Sequence, residues 1–327
     1  MAHNSFEIRT PSRLHFGLFG VGSNTKRRFG GAGLMVEDPA TRILFAPSEQ
    51  LEIDDRQRER IGAAVNVWFD QYGQLVPTLE SIQEIPLAIR IQSAPPTHSG
   101  FGSGTQLTLG IAAGLFHHFG LPIPKPEELS PAMGRGNRSA IGSHGFFTGG
   151  MLVDRGKGQG DSIAELDIQV SFPEEWRIVI ALLNGPKKVF GKKEASAFIE
   201  LPDSTESRAV RLRELVAHEL LPAVMSRDCS KAGQAIYELN YGSGELFAAY
   251  QGGPYNGPEI EELVQRIRTF GIAGVGQSSW GPSVYALTPD NETAIRLSDH
   301  LQQTYDDRCS VTITKAINRG VQAVTVD

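Results

Sequence analysis

Residues His98 to Gln106 read HSGFGSGTQ, three glycines at alternate positions interleaved with three hydroxyl side chains. Gly100, Gly102 and Gly104 reach backbone torsions closed to other residues, so successive N–H groups can converge on one point. Ser103 and Thr105 fall where the first turn of a following helix offers unpaired N–H donors and the positive end of its dipole. That environment suits a phosphate or diphosphate. Ser99, Gly100, Gly102, Ser103, Gly104 and Thr105 are therefore the candidate phosphate-binding residues, against the plainer reading of a capped glycine turn without a ligand. His98, directly ahead of the loop, is a candidate acid, base or phosphate donor near neutral pH.

A second group of cations lies near the start. In RTPSRLHFGLFG, Arg13 and His15 share one face of an expected strand while Leu14 and Phe16 point into the core. A guanidinium and an imidazole on one edge can hold an anionic substrate, and both join His98 as candidate catalytic residues. Arg27 and Arg28, beside Gly30 and Gly31, read equally well as a phosphate clamp or as a charged hairpin. GPKKVFGK at 185–192 departs from a Walker loop in its glycine spacing, and Lys193 takes the place of the required hydroxyl. Lys187, Lys188, Lys192 and Lys193 are read as a solvated basic turn. No dinucleotide fingerprint follows a strand, and His218-Glu219 lacks the second histidine of a zinc helix.

The elements that position these groups follow from periodicity. Short apolar runs between Phe6 and Ile53, punctuated by glycine and proline, predict strands of a mixed sheet. Ile61, Val65 and Phe69 predict a helix within 54–72. Leu87, Ile89 and Ile91 alternate with Ala88, Arg90 and Gln92, so 85–94 reads as a half-buried strand ending at the glycine loop. Beyond the loop Leu107, Ile111, Leu115 and Phe119 form a helical stripe that Gly120 and Pro122 end. The unit is strand, glycine loop, helix. A second helix is expected within 126–141, then a strand in GGMLVDRG. SFPEEW at 171–176 marks a lobe boundary, giving lobes at 1–173 and 174–327. Helices are expected near 205–226, 229–249, 257–270 and 291–305, among strands RIVIALL, IAGVG, SVYAL and SVTIT. The architecture is α+β with two lobes.

With 40% hydrophobic and 21% charged residues, the 327-residue chain has the composition of an ordinary globular protein. A net charge of -6 argues against general affinity for nucleic acid or an anionic membrane, so any anion site must be local. Two distant cysteines suggest neither a disulfide scaffold nor a thiolate metal site. No uninterrupted apolar run approaches a membrane span, and a cytoplasmic location is expected.

PPTHSGFGSGTQ, SRLHFGLFG and GVGQSSWGPSVYAL together resemble, in content, order and separation, the three motifs of the GHMP superfamily of galactokinase, homoserine, mevalonate and phosphomevalonate kinases. The resemblance spans both ends of the chain. It implies a ribosomal-protein-S5-like N-terminal lobe and a ferredoxin-like C-terminal lobe, with the glycine loop around phosphates and the last motif beside it. Ser278 in that motif becomes a candidate substrate-binding residue, with Arg27 and Arg28. Kinases of the superfamily carry an aspartate before a Gly-Gly strand; in SAIGSHGFFTGG its place is taken by Gly142, which cannot act as a base.

RTPSRLHFGL, RRFGGAGLMVEDP and HSGFGSGTQ together are most similar to the beta-ribofuranosylaminobenzene 5'-phosphate synthase family of methanopterin biosynthesis. That resemblance implies 4-aminobenzoate and phosphoribosyl pyrophosphate as substrates, carbon dioxide and pyrophosphate as by-products, Mg²⁺ with Ser103 as its ligand, and a homodimer. The leaving diphosphate needs donors for its growing charge. The benzoate carboxylate needs an arginine fork, from Arg13, Arg27 or Arg28. The alternatives are an ATP-dependent small-molecule kinase, with Asp154 or His144 replacing the missing base, and a binding protein without turnover.

Overall fold

The computed structural model describes residues 4–20, 27–54, 57–185 and 206–326. Strand β1, Phe6–Leu18, takes in both of the first apolar runs, and β2, Gly31–Pro47, takes in the next two. They pair antiparallel, with register shifts between Thr10 and Ser12 and between His15 and Gly17. β3, Glu52–Ile53, and β4, Leu87–Ser93, extend the sheet beyond the second half of β2. β5, Met151–Asp154, pairs with its first half and with β6, Leu166–Val170. A further strand, Gln322–Thr325, pairs with Phe6–Arg9, so the tail of the chain closes the seven-stranded N-terminal sheet instead of joining the strands of the other lobe. β1 is thus flanked on both edges and buried along nearly its whole length, more completely than a strand with one exposed polar face.

The chain changes sheets after β6. β7, Arg177–Leu183, β8, Gly274–Gln277, β9, Ser283–Thr288, and β10, Cys309–Thr314, form a four-stranded antiparallel sheet in the order β10-β7-β9-β8. The Gln322–Thr325 strand is β11.

Helix α1, Arg58–Tyr72, packs on α2, Ser103–His118, where Trp68 meets the edge of Phe116 with ring centroids 5.6 Å apart. α2 is buried nearly all round because it lies on the sheet: a Cβ at Gly114 would sit 2.0 Å from the Phe45 ring. The helix expected within 126–141 is two helices, α3, Pro126–Ala132, and α4, Ile141–Thr148. Gly134 and Gly136, with φ of 69° and 78°, break the run, and the intervening loop holds Arg135 and Ser139 half-buried.

In the second lobe α5, Glu206–Leu215, continues through a π turn at Val216–Leu220 into α6, Leu221–Met225. α7, Cys229–Gly244, α8, Ala248–Gln251, α9, Pro258–Thr269, and α10, Asn291–Tyr305, complete the described helices. Ala232, Ile236 and Leu239 of α7 share one apolar cluster with Leu14 and Phe16 of β1, Ile178 and Ile180 of β7, and Tyr285 of β9. The two lobes are therefore built around a common core, and their interface holds the site.

Candidate active site

The three sequence segments meet. Arg13 N–H donates to the Phe101 carbonyl at 2.9 Å, tying β1 to the glycine loop. His15 N–H donates to Ser278 Oγ at 3.0 Å, and that hydroxyl donates to the Gly100 carbonyl at 2.8 Å. Ser283 Oγ donates to the Ser99 carbonyl, and Ser99 Oγ to the Pro96 carbonyl. A Cβ on Gly100, whose φ is 95°, would lie 2.3 Å from the Ser278 carbonyl oxygen. Gly100, Ser99 and Ser278 therefore serve the seam between glycine loop and final motif. The Ser278 hydroxyl, expected to meet substrate, is spent inside the protein. Its neighbour Ser279, at φ 53°, accepts from Arg13 Nη1 at 2.6 Å.

Behind the seam, Asn240 of α7 donates to the Phe16 and Gln277 carbonyls at 2.7 and 2.9 Å and accepts from Gln277 N–H at 2.9 Å. Ser243 Oγ accepts from Leu18 N–H at 2.7 Å. One helix thus clamps β1 and β8 across the lobes.

Between these elements opens a cavity of about 300 Å³, lined by Arg13 and His15 of β1, Thr105 of α2, Arg135, Asn137, Arg138 and Ser139 of the α3–α4 loop, and Ser279 and Trp280. Its described lining holds three arginines and no aspartate or glutamate. α2 begins at its mouth. Gly102 is the N-cap in the left-handed conformation, and no side chain caps the helix; Thr105 N–H donates back to the Gly102 carbonyl at 3.0 Å, so the donors a ligand would meet are those ahead of it in the first turn. Ser103 is the first residue of α2 and is buried. Gly102 and Gly104 lie at the border of the cavity, their Cβ positions 3.3 Å from Arg13 Nε and 3.5 Å from Arg135 Nη1. Arg135 Nη2 donates to Thr108 Oγ1 at 2.6 Å, while its Nε is buried without a partner. Burial, and then the charge of Arg60, lower the Arg135 pKa from the usual arginine value.

His15 is buried, and desolvation, followed by the charge of Arg13, holds its pKa well below the ordinary histidine value; the ring is neutral. Its Nε2 lies 3.1 Å from Ser139 Oγ, which donates to Asp154 Oδ2 at 3.0 Å. The fully buried Asp154 also accepts from Ala140 N–H at 2.8 Å and Gly156 N–H at 3.0 Å. Burial pushes its pKa up to about 6 against these donors.

Other expected residues lie elsewhere. His98 is exposed, at φ 57°, and does not line the cavity. Arg27 donates to the Gly156 carbonyl at 3.1 Å and pairs with Asp161 and Glu165, each at 3.6 Å; Arg28 is exposed on a bridge to Lys157. Neither lines the cavity, so the charged-hairpin reading fits their placement. Asp154 and His144 do not replace the missing base there: His144 is buried with its Nε2 2.8 Å from the Ala164 carbonyl, and Asp154 is sealed beneath the loop. The lysines at 187–193 lie outside the described residues. Sequence reasoning missed Arg135, Arg138, Ser139 and Asn240. The paired glycines around Arg135 were the available signal for a loop there.

Fold and site together define a class. The chain belongs to the GHMP kinase family: residues 60–149 match GHMP kinases N terminal domain and residues 220–307 match GHMP kinases C terminal. Homoserine kinase from Cytophaga hutchinsonii superposes with a TM-score of 0.70 at 16% identity, covering 99% of this chain and 98% of that one. More particular is the similarity to two curated relatives, each named beta-ribofuranosylphenol 5'-phosphate synthase. The relative from Archaeoglobus fulgidus is 29% identical over 96% of this chain and 98% of its own length. That from Methanothermobacter thermautotrophicus is 28% identical over 86% and 88%.

Proposed function

We propose that the protein condenses 4-aminobenzoate with phosphoribosyl pyrophosphate, forming beta-ribofuranosylaminobenzene 5'-phosphate and releasing carbon dioxide and pyrophosphate. The observation that carries this reading is the cavity lining: three arginines beside an uncapped helix N-terminus, with no carboxylate to serve as a base for an attacking alcohol. The names of the curated relatives support it. In the reaction the C1'–O bond breaks and its electron pair leaves with the diphosphate. The ring carbon bearing the carboxylate bonds to C1'. The bond to the carboxylate then breaks, and its electron pair restores aromaticity, with no base needed.

The roles divide by chemistry. The first-turn N–H groups of α2, with Thr105, stabilise the leaving diphosphate as its charge grows, and Arg135 adds a positive charge above Gly104. Arg13, fixed by Ser279, grips the benzoate carboxylate, because a guanidinium offers two parallel donors. Trp280 and Phe247 provide an aromatic wall for the ring, 5.1 Å apart at their centroids. No group of three or more histidine, cysteine or acidic side chains that could hold a metal occurs among the described residues. Hydroxyl donors fit Mg²⁺ only as an ion brought by the diphosphate, and Ser103 would then contribute its oxygen. Bound there, Mg²⁺ would neutralise diphosphate charge. His98, outside this lining, is left as a group that meets substrate only at the mouth of the loop.

The substrates are small molecules, and nucleic acid and membrane have no part in the reading. No helix among the described residues is long and apolar enough to cross a membrane; a cytoplasmic homodimer completes the proposal. The test incubates the protein and Mg²⁺ with phosphoribosyl pyrophosphate and carboxyl-labelled 4-aminobenzoate or 4-hydroxybenzoate, with ATP and homoserine in a parallel arm. Labelled carbon dioxide and pyrophosphate in equal amounts are expected. ATP consumption without labelled gas would overturn the reading in favour of a kinase.

A further inference from the structure

We propose that Asp154 and Ser139 are positioning residues that lock His15 as the neutral Nε2–H tautomer in the cavity wall, while pinning the arginine-bearing loop above it. Asp154 Oδ2 accepts from Ala140 N–H and Oδ1 from Gly156 N–H, at 2.8 and 3.0 Å, so both oxygens already face donors. Ser139 has one proton, and its hydroxyl lies 3.0 Å from Asp154 Oδ2. With that proton given to the carboxylate, Ser139 Oγ is an acceptor, toward Ile141 N–H at 3.4 Å and toward His15 Nε2 at 3.1 Å. The proton on the imidazole must then sit on Nε2, which leaves Nδ1 as the acceptor nitrogen.

The geometry holds this state from several sides. Asp154 is fully buried and His15 nearly so, which leaves little room for water to supply alternative partners. Gly31 of β2 closes against the ring: its Cβ position is 3.0 Å from His15 Cε1 and 3.3 Å from Nε2, too near for a larger residue. The same carboxylate ties together three chain segments, at Ser139–Ala140, Gly156 and, through Ser139, β1. The loop that presents Arg135 and Arg138 ends on this anchor. His15 shares the cavity lining with those arginines, and a fixed acceptor nitrogen there suits a hydroxyl or amino donor on the substrate, such as a ribose hydroxyl. That last consequence rests on the synthase reading; the tautomer does not.

The experiment uses the full chain in wild-type form and as Ser139→Ala, Ser139→Thr and Asp154→Asn. Long-range proton–nitrogen correlation spectra report the His15 tautomer without substrate, with His15→Gln assigning the signal. The wild type and Ser139→Thr are expected to show the Nε2–H tautomer, and Ser139→Ala a mixture of tautomers. In turnover with phosphoribosyl pyrophosphate and 4-aminobenzoate, Ser139→Ala is expected to lose about 10- to 100-fold in kcat, the scale of outer-shell losses elsewhere. Ser139→Thr is expected to recover most of that loss. An Nδ1–H tautomer in the wild type, or a tautomer unmoved by Ser139→Ala, overturns the proposal. So does a Ser139→Ala effect confined to KM, which would mark a loop-placing role alone. If Asp154→Asn does not fold, the two Ser139 variants still decide. Absence of turnover in the wild type would sink the synthase reading and leave the spectra to judge the tautomer.

Discussion

Replacing Gly142 with aspartate would place a carboxylate next to Arg13. A Cβ at this position meets Gln106 Nε2 at 3.8 Å, Thr105 Cγ2 at 3.9 Å and Arg13 Nε at 4.0 Å, all ordinary contacts, so the side chain fits without moving backbone. From that Cβ, two further bonds bring an oxygen into direct reach of the guanidinium. Unit charges about 4 Å apart attract by roughly 4 kcal/mol at an effective dielectric of about 20. Arg13 is half-buried and already bonded to Ser279, so solvent and the existing bond reduce the net gain. A net value of about 0.5–1 kcal/mol fits a pair partly open to water. If Arg13 anchors the benzoate carboxylate, Gly142→Asp must break that pair before binding, and KM for 4-aminobenzoate should rise roughly 2- to 5-fold. The assay is steady-state release of labelled carbon dioxide with phosphoribosyl pyrophosphate saturating, beside thermal melts. Gly142→Ala, in the same helix without the charge, should keep its KM and gain up to about 1 kcal/mol of stability. A folded Gly142→Asp with wild-type KM would refute the placement of the carboxylate on Arg13.

Three further outcomes follow from the geometry. Gly100→Ala combines a positive φ with a Cβ 2.3 Å from the Ser278 carbonyl, and should lower stability by about 1–3 kcal/mol in urea titration; an unchanged midpoint would contradict the tight seam. Asn240→Ala strands buried backbone groups of Phe16 and Gln277 and should cost about 3 kcal/mol or more; a loss below about 1 kcal/mol would show that α7 does not clamp the lobes. Stability should respond to pH through two opposing groups. Asp154, raised from 3.8 to about 6, keeps its proton in the folded state over a range where the unfolded chain has lost it. Its contribution therefore falls by about 3 kcal/mol as pH rises from about 4 to 6, then levels. His15, lowered, stays neutral where the unfolded chain takes up a proton, so its contribution falls as pH drops below about 6.5. Unfolding of Asp154→Asn against wild type across this range should remove only the first slope, and an unchanged difference between pH 4 and 7 would count against it.

What the sequence determined by itself is what local periodicity encodes. The stripe of Leu107, Ile111 and Leu115, spaced four residues apart, specified α2, and the glycine run ahead of it specified a tight loop, because both depend on neighbours along the chain. The combination of three motifs specified the family, which the matches over residues 60–149 and 220–307 bear out, while a chain of the same fold shares only 16% identity. Arg13 and His15 on one face also followed from strand alternation alone.

Only tertiary structure decided which of these groups share a cavity. Ser278 and Ser279 are adjacent, yet one is spent holding Gly100 and the other meets Arg13, a choice made by the left-handed turn at Ser279. Arg27 and Arg28 looked as suitable as Arg13, but acidic partners from Asp161 and Glu165 claim Arg27 on another face. Arg135 and Arg138 reach the site because two glycines break a helix and fold the loop over α2. Asp154, far along the chain, lies beneath Ser139 because β5 pairs with β2. Such contacts join residues distant in sequence. They are selected by burial and by the need to satisfy every enclosed polar group, and no local repeat along the chain records that condition.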